Sequence, residues 1–298
     1  SGGPITQDNT GVEYYGTIFA ATESAFEAGL IWTGSDDGLV HISKNNGATW
    51  DNITPKKMPE WMMINCIEVD PFTKGGAYIV GTKYKSGDYK PYIYKTENYG
   101  KSWKEITNGI AEEDFTRALK ADPKRKGLLY VGTERGMYIS FDDGKNWQSF
   151  KQNLPIVPIT DLAIKEDNLI AATQGRSLWI IDDLTPLHQL NGSTLKKEMV
   201  LYKPKDAYNL SGGNGKTSKT AGTNHAGGVS VNYFIKKENE KDTIALSFYD
   251  ANDNLIKKYT TKPDKEKKEE KLKVADGNNI FNWDMMHPGA QSIKDMIL

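Results

Sequence analysis

The side chains best suited to chemistry in this chain are carboxylates and aromatics gathered in short polar stretches. Asp36 and Asp37 stand in Ser35-Asp36-Asp37-Gly38, Glu60 and Trp61 are adjacent, Tyr84, Asp88 and Tyr89 share one stretch, and Glu134 and Arg135 are followed by Gly136. Aromatic platforms beside carboxylates suit sugars, whose C–H faces stack on rings while their hydroxyls bond to acids. Hydrolysis of a glycosidic bond needs two such carboxylates flanking it, close together for retention and further apart for inversion. Asp36, Asp88 and Glu134 are the candidates, and nothing in their spacing selects a pair. Trp61, Tyr84, Asp88, Tyr89, Arg135 and Arg176 are the candidate ligand-binding residues. Exposed tyrosines and acids also solubilise a long loop, and that plain reading stands beside the binding one.

Those stretches are loops, and a repeat positions them. Ser43-Lys44-Asn45-Asn46-Gly47-Ala48-Thr49-Trp50, Thr96-Glu97-Asn98-Tyr99-Gly100-Lys101-Ser102-Trp103 and Ser140-Phe141-Asp142-Asp143-Gly144-Lys145-Asn146-Trp147 are copies of one turn, each following an alternating apolar run. The tryptophans lie 53 and 44 residues apart (Trp50 to Trp103, Trp103 to Trp147), near the period of four-stranded propeller blades. Runs such as Leu30 to Gly34, Ala77 to Thr82, Leu128 to Thr133 and Leu169 to Thr173 are rich in β-branched and aromatic residues and read as one strand repeated in successive blades. A fourth unit, Ile159 to Ile181, lacks the turn and its Trp. In the turns, Asn45, Asn98 or Asp142 hydrogen-bonds nearby backbone. Gly47, Gly100 and Gly144 take the left-handed angle, and Trp50, Trp103 and Trp147 bury a ring. Their role is structural.

The turns resemble the Asp-box, or bacterial neuraminidase, repeat, whose pattern is Ser/Thr-x-Asp-x-Gly-x-Thr/Ser-Trp; Asn45, Asn98 and Asn146 depart from it. The box implies a fold shared by sialidases, xyloglucanase-type hydrolases, photosystem assembly factors and sortilin-type receptors, not one activity. A narrower resemblance rests on the stretch around Ser1 to Thr6, on Trp32 to Val40, Gly127 to Gly136 and Gly175 to Asp183. It points to large exported bacterial proteins of the sortilin-like or glycosyl hydrolase repeat type. Their usual His before Gly-Arg is Gln174 here. Sialidase chemistry would use three arginines and a Tyr nucleophile, whereas this chain offers Arg117, Arg125, Arg135 and Arg176, with Arg125 in a turn on the other face. Arg135 and Arg176 read as bridges between neighbouring blades, to Asp182, Asp183 or Glu134, ahead of carboxylate binding.

The expected fold is all-β: a partial Asp-box propeller of about four blades over residues 12–190, connecting loops over 191–228, and an immunoglobulin-like β-sandwich over 229–298. Too few blades to close a ring imply a preceding propeller segment or another protein chain as partner, with a glycan as a further ligand. Propeller geometry puts the Trp-ended turns on one face and the candidate loops on the other.

Composition narrows the classes. The net charge of −1, from 38 Lys plus Arg against 39 Asp plus Glu, gives no electrostatic reason to expect nucleic acid. No apolar run is long enough to span a bilayer as a helix. Cys66 is the sole cysteine, so an intrachain disulfide is excluded, and its apolar surroundings read as a core thiol. His41, His188, His225 and His287 lack metal-ligand spacing, the Asp250 to Asn254 segment reads as a plain turn rather than a Ca²⁺ loop, and no cofactor or metal is expected. The family resemblance implies an exported, periplasmic, outer-membrane-associated or extracellular protein.

Overall fold

A computed structural model of the chain describes residues 16–208, 227–236, 242–264 and 269–287. The Ser1 to Thr6 stretch of the family resemblance, the Gly/Ser/Thr-rich 211–226 and residues 288–298 lie outside the described residues. The chain divides into two compact units, Ser1–Asp182 and Asp183–Leu298.

The first unit is a series of antiparallel up-and-down sheets. Sheet 1 holds β1 (Ile18–Glu23), β2 (Ile31–Ser35), β3 (Val40–Ser43) and β4 (Asp51–Asn52). Sheet 2 holds β5 (Met63–Val69), β6 (Ala77–Lys83), β7 (Asp88–Thr96) and β8 (Lys104–Glu105). Sheet 3 holds β9 (Thr116–Ala121), β10 (Leu129–Thr133), β11 (Gly136–Ser140) and β12 (Gln148–Ser149). Sheet 4 has three strands, β13 (Ile159–Lys165), β14 (Asn168–Thr173) and β15 (Leu178–Ile181). The first strands of consecutive sheets pack side by side, β1 on β5, β5 on β9 and β9 on β13, which is the radial succession of a β-propeller.

Two apolar clusters fill the joints. Between sheets 1 and 2 lie Trp32, Ile42, Met62, Ile64 and Ile79, and between sheets 2 and 3 lie Val80, Ile93, Leu119, Val131 and Trp147. The second strands of sheets 1 to 3 are buried on both faces, so they read as continuous apolar runs rather than alternations, whereas β14 of sheet 4 is only half covered. Near the end of β10, Gly132 admits the next inner strand: a Cβ there would come within 2.6 Å of Ile159 Cγ2.

The Trp-ended turns are built alike. The hydroxyls of Ser43, Thr96 and Ser140 accept the N–H of Gly47, Gly100 and Gly144 at 2.8, 3.0 and 2.9 Å. Oδ1 of Asn45, Asn98 and Asp142 accepts the N–H of Thr49, Ser102 and Asn146 at 2.9, 3.0 and 2.9 Å. In the first two turns the Asn amide then donates to a hydroxyl, Asn45 to Thr49 at 2.8 Å and Asn98 to Ser102 at 2.9 Å. In the third the polarity reverses, and Asn146 donates its amide to Asp142 Oδ2 at 2.7 Å. The sequence departures therefore compensate one another: a donor at the third position meets a hydroxyl, and an acceptor there meets an amide. Burial works to raise the Asp142 pKa, but the hydrogen bonds from Asn146 and Ser140 outweigh it and hold the carboxyl below its ordinary value.

The second and third turns also reach back to the preceding sheet. Tyr99 donates its hydroxyl to Glu27 at 2.8 Å, and Asp143 accepts from Tyr78 at 2.7 Å and from Lys95 at 2.5 Å. Trp103 and Trp147 donate their indole N–H to the carbonyls of Ile53 and Ile106, each at 2.7 Å. Cys66 lies in the joint between sheets 2 and 3 with its thiol directed at the Leu119 carbonyl, 3.6 Å away. The residue is only partly covered, yet its sulfur is enclosed, and burial pushes the thiol pKa up to about 11.

The second unit begins with a short helix, α1 (Thr185–Gln189), and carries two three-stranded sheets. One orders β16 (Met199–Leu201), β17 (Val229–Ile235) and β21 (Gly277–Trp283); the other orders β18 (Ala245–Tyr249), β19 (Leu255–Thr260) and β20 (Glu270–Lys271). Phe248 of one sheet stacks on Trp283 of the other with centroids 4.2 Å apart, and Tyr259 packs on Phe281 at 4.5 Å. Met199–Leu201 falls in the stretch read from sequence as connecting loops; it pairs with β17, Met199 opposite Ile235. The Asp250 turn is closed by its own side chain, whose Oδ1 accepts from the Asn252 and Asn254 N–H groups, both at 2.8 Å. Among the described residues no helix is long and apolar enough to cross a membrane.

Candidate functional site

The loops between second and third strands and the connections between sheets share the face opposite the Trp-ended turns. Every inner strand carries a register irregularity there, at Ile18/Ala20, Ile64/Cys66, Thr116/Ala118 and Ile159/Asp161. A bulge gives one residue per strand a direction that plain alternation would not. In β9 that residue is Arg117, and in β5 it is Asn65, whose Oδ1 accepts from Thr82 Oγ1 at 2.9 Å.

Asp36 and Trp61 meet in one open cleft of about 390 Å³, lined also by Met63, Thr82, Lys83, Lys85 and Ser86. Trp61 is 59% exposed and has a left-handed backbone, φ 60°, a conformation that costs a non-glycine residue free energy. Its neighbours hold it there. Met62 is fully buried, and Gly38 of sheet 1 sits so close that an added Cβ would lie 3.0 Å from the Met62 amide nitrogen. The indole is thereby presented to solvent at the cleft mouth.

A second group adjoins it along the chain. Tyr84 stacks on Phe115 with centroids 5.0 Å apart, and the 52% exposed Tyr89 tilts against the same ring at 6.1 Å. The Arg117 guanidinium lies over Phe115 at 5.0 Å and over Tyr84 at 5.7 Å. Phe115 and Arg117 were not among the site residues read from sequence. Arg117 takes its direction from the bulge in β9, which no residue type in that strand signals.

The three candidate carboxylates are already engaged. Asp36 Oδ1 accepts the N–H groups of Gly16 and Thr17 at 2.7 and 2.9 Å, tying down the entry to β1. Asp88 accepts the Tyr92 hydroxyl at 2.7 Å and the Lys90 N–H at 3.1 Å; burial first, then this bond, raises the Tyr92 pKa. Glu134 Oε2 takes both Nε and Nη2 of Arg117, at 2.7 and 2.6 Å. Glu134, one of the three acids that sequence offered to Arg135 and Arg176 as bridging partners, is paired with Arg117 instead. Arg135 and Arg176 are exposed and form no ion pair among the described residues; their backbone amides bond Asp114 Oδ1 at 3.0 Å and Thr173 Oγ1 at 3.1 Å. The site thus offers aromatic surface, hydroxyls and two lysines to a ligand, with its acids acting as internal acceptors.

Residues 38–173 match the family model Sortilin-Vps10, described as sortilin, neurotensin receptor 3. Among curated proteins, the chain is 24% identical over 107 residues to the oligoxyloglucan-reducing end-specific xyloglucanase of Emericella nidulans, a match covering 36% of this chain and 13% of that enzyme. Among solved structures, YCF48 bound to D1 peptide is similar at TM-score 0.43 and 22% identity, covering 55% of this chain and 50% of that one. The GH74 xyloglucanase from Xanthomonas campestris is similar at TM-score 0.44 and 15% identity, covering 73% and 34%. The chain thus spans half or less of each of these relatives. The family match and the sheet succession agree on a propeller-type protein.

Proposed function

We propose that this chain is a carbohydrate-binding module of an exported or cell-surface protein. In this reading it is a sortilin-like Asp-box propeller segment followed by an immunoglobulin-like sandwich, with further blades completing the ring. The single observation that carries it is Trp61, held in a strained backbone conformation and displayed at the mouth of a cleft with Thr82, Ser86, Lys83 and Lys85. A flat indole face stacks on a sugar ring, and hydroxyls and ammonium groups supply orienting hydrogen bonds. Engagement of Asp36, Asp88 and Glu134 by internal donors favours binding over hydrolysis. The sorting of the polar loops onto one face supports the same reading, and the match to a sortilin model supports the propeller segment within it.

Calorimetric titration of the full chain against a polysaccharide panel tests it. Trp61→Ala is expected to weaken the responding glycan at least tenfold, consistent with the loss of about 1.5 kcal/mol of stacking. Absence of binding across the panel, or undiminished binding by Trp61→Ala, refutes the proposal.

The partial match to an oligoxyloglucan-reducing end-specific xyloglucanase favours a second reading, a hydrolase fragment acting through paired carboxylates on this face. Incubation with xyloglucan oligosaccharides, with product masses recorded for the parent chain, Asp36→Asn, Asp88→Asn and Glu134→Gln, decides it. Turnover abolished by one or two of these changes would establish the hydrolase; no products from the parent chain would remove it.

A further inference from the structure

The joint between sheets 1 and 2 and the joint between sheets 2 and 3 begin alike and end differently. In each, the indole N–H of the turn tryptophan holds an isoleucine carbonyl at 2.7 Å, Ile53 for Trp103 and Ile106 for Trp147. The residues after the two isoleucines therefore correspond place by place. The second joint is shut. The Asn108 carbonyl accepts the Trp147 N–H at 2.9 Å, and the Asn108 amide donates to Asn146 Oδ1 at 2.8 Å. Gly109 lies so near that an added Cβ would come within 2.2 Å of the Trp147 carbonyl oxygen, and Ile110 is buried in the apolar cluster beside it.

At the first joint the same three places hold Pro55, Lys56 and Lys57. Lys56 carries the Cβ that the close approach of Gly109 excludes, and a charged Lys57 cannot plug the gap as Ile110 does. Both lysines are exposed, and their loop and Trp103 together line a cleft of about 660 Å³ on the face of the Trp-ended turns. Tyr94, Tyr99 and Trp103 give the cleft aromatic surface. Tyr99 is held by Glu27 at 2.8 Å, and Lys44 Nζ lies 5.5 Å from the centre of its ring. Ser102 Oγ accepts from the Asn98 amide at 2.9 Å, which leaves the hydroxyl its own hydrogen to donate. The charged lining is Lys44, Lys56, Lys57 and Lys101 against Asp51 and Glu105.

We infer that this cleft binds a small-molecule phosphomonoester carried on a ring. Four ammonium groups against two carboxylates leave an excess of two positive charges, and a phosphomonoester is close to a dianion at neutral pH. A sulfate ester or a carboxylate would leave one of those charges unmatched. Lysine heads are compact point charges with rotatable donors, which suits a tetrahedral oxyanion. Ser102 adds a neutral donor, and the ring packs on the half-buried Tyr99 and Trp103. The volume falls within the range of small-ligand clefts, about 300–1,000 Å³. The site lies on the face away from Trp61 and does not depend on the carbohydrate reading.

Calorimetric titration of the 298-residue chain with glucose 6-phosphate, glucose 6-sulfate, inorganic phosphate and glucose at neutral pH tests it. Glucose 6-phosphate is expected to bind saturably, about tenfold or more tightly than each of the other three. Lys56→Gln/Lys57→Gln removes two charges from an exposed loop and is expected to weaken it about tenfold or more. Lys165→Gln, on sheet 4 outside the cleft, is expected to leave it unchanged. On the parent chain, saturating glucose 6-phosphate is expected to slow acetylation of Lys57 several-fold, read by peptide mass. No saturable binding, binding of glucose, glucose 6-sulfate or inorganic phosphate as tight as that of glucose 6-phosphate, undiminished binding by the double variant, or an unprotected Lys57 overturns the inference. An equal loss in Lys165→Gln also overturns it, because net charge alone would then be acting. Loss of glucose 6-phosphate in Trp61→Ala overturns it by placing the phosphate beside Lys83 and Lys85 in the other cleft.

Discussion

Truncating the turn tryptophans one at a time should give unequal losses of stability, in the order Trp147, Trp103, Trp50. Trp147 is 5% exposed, packs in the cluster with Ile93, Leu119 and Val131, and holds the Ile106 carbonyl at 2.7 Å. Trp147→Ala removes a core indole, worth about 3–5 kcal/mol with its cavity, and leaves a carbonyl without its donor, about 1 kcal/mol more. Trp103 is half-buried, edge-on to Trp32 at 6.5 Å, and holds Ile53; its loss should cost about 2–4 kcal/mol. Trp50 bonds only its own turn and is 42% exposed, so Trp50→Ala should cost about 1 kcal/mol or less. The assay is amide hydrogen exchange of the β6 and β10 strands in rising urea, which reads the first unit separately from the second. A Trp50→Ala cost equal to that of Trp147→Ala, or a Trp147→Ala cost below about 1 kcal/mol, would refute the reasoning that a joint is stabilised through these rings.

The donor–acceptor reversal in the third turn predicts that Asp142→Asn destabilises by about 1 kcal/mol, because two amide groups then face each other, and that adding Asn146→Thr restores most of it; urea midpoints of the single and double variants measure the coupling. Asp142 also carries a pH signature. Its folded pKa lies below the usual 3.8, so its contribution is present above that value and lost as pH falls through the lower folded one. The Asn146 amide resonance should therefore titrate with a midpoint below 3.8, while the Thr49 and Ser102 amides, bonded to uncharged Asn45 and Asn98, show no transition of their own there. Cys66, its thiol pKa raised to about 11 by burial, should resist iodoacetamide at pH 8 in the folded chain and react fully in denaturant; rapid native labelling would show the joint between sheets 2 and 3 to be open.

Sheets 1 to 4 are legible in sequence because each second strand is a β-branched and aromatic run between glycine-bearing turns, and the turn motif repeats after the third strand of the first three. Such signals are local. The pairing of Met199–Leu201 with β17 is not local: its partner lies across the Gly/Ser/Thr-rich stretch, and a three-residue strand has too few alternations to be distinguished from a loop. The face of the candidate loops was also readable, since strand direction alternates strictly in an up-and-down sheet. Which atom holds which within that face was not. Asp36, Asp88 and Glu134 look equivalent as carboxylates in polar loops, yet one clamps the amides before β1, one holds a tyrosine hydroxyl and one pairs with an arginine turned by a bulge. A bulge has no residue signature in Phe115 to Lys120, so Arg117 reads as an outward strand residue until the register shift is seen. The same limit applies in reverse to the turns. Asn98 and Asp142 differ from each other in sequence and do the same work, because Ser102 and Asn146 exchanged donor for acceptor along with them. Function on this scaffold therefore has to be argued from partners rather than from residue types. By that criterion Trp61 is the clearest candidate on its face: its backbone is constrained by Met62 and Gly38 while 59% of its surface faces the cleft and solvent.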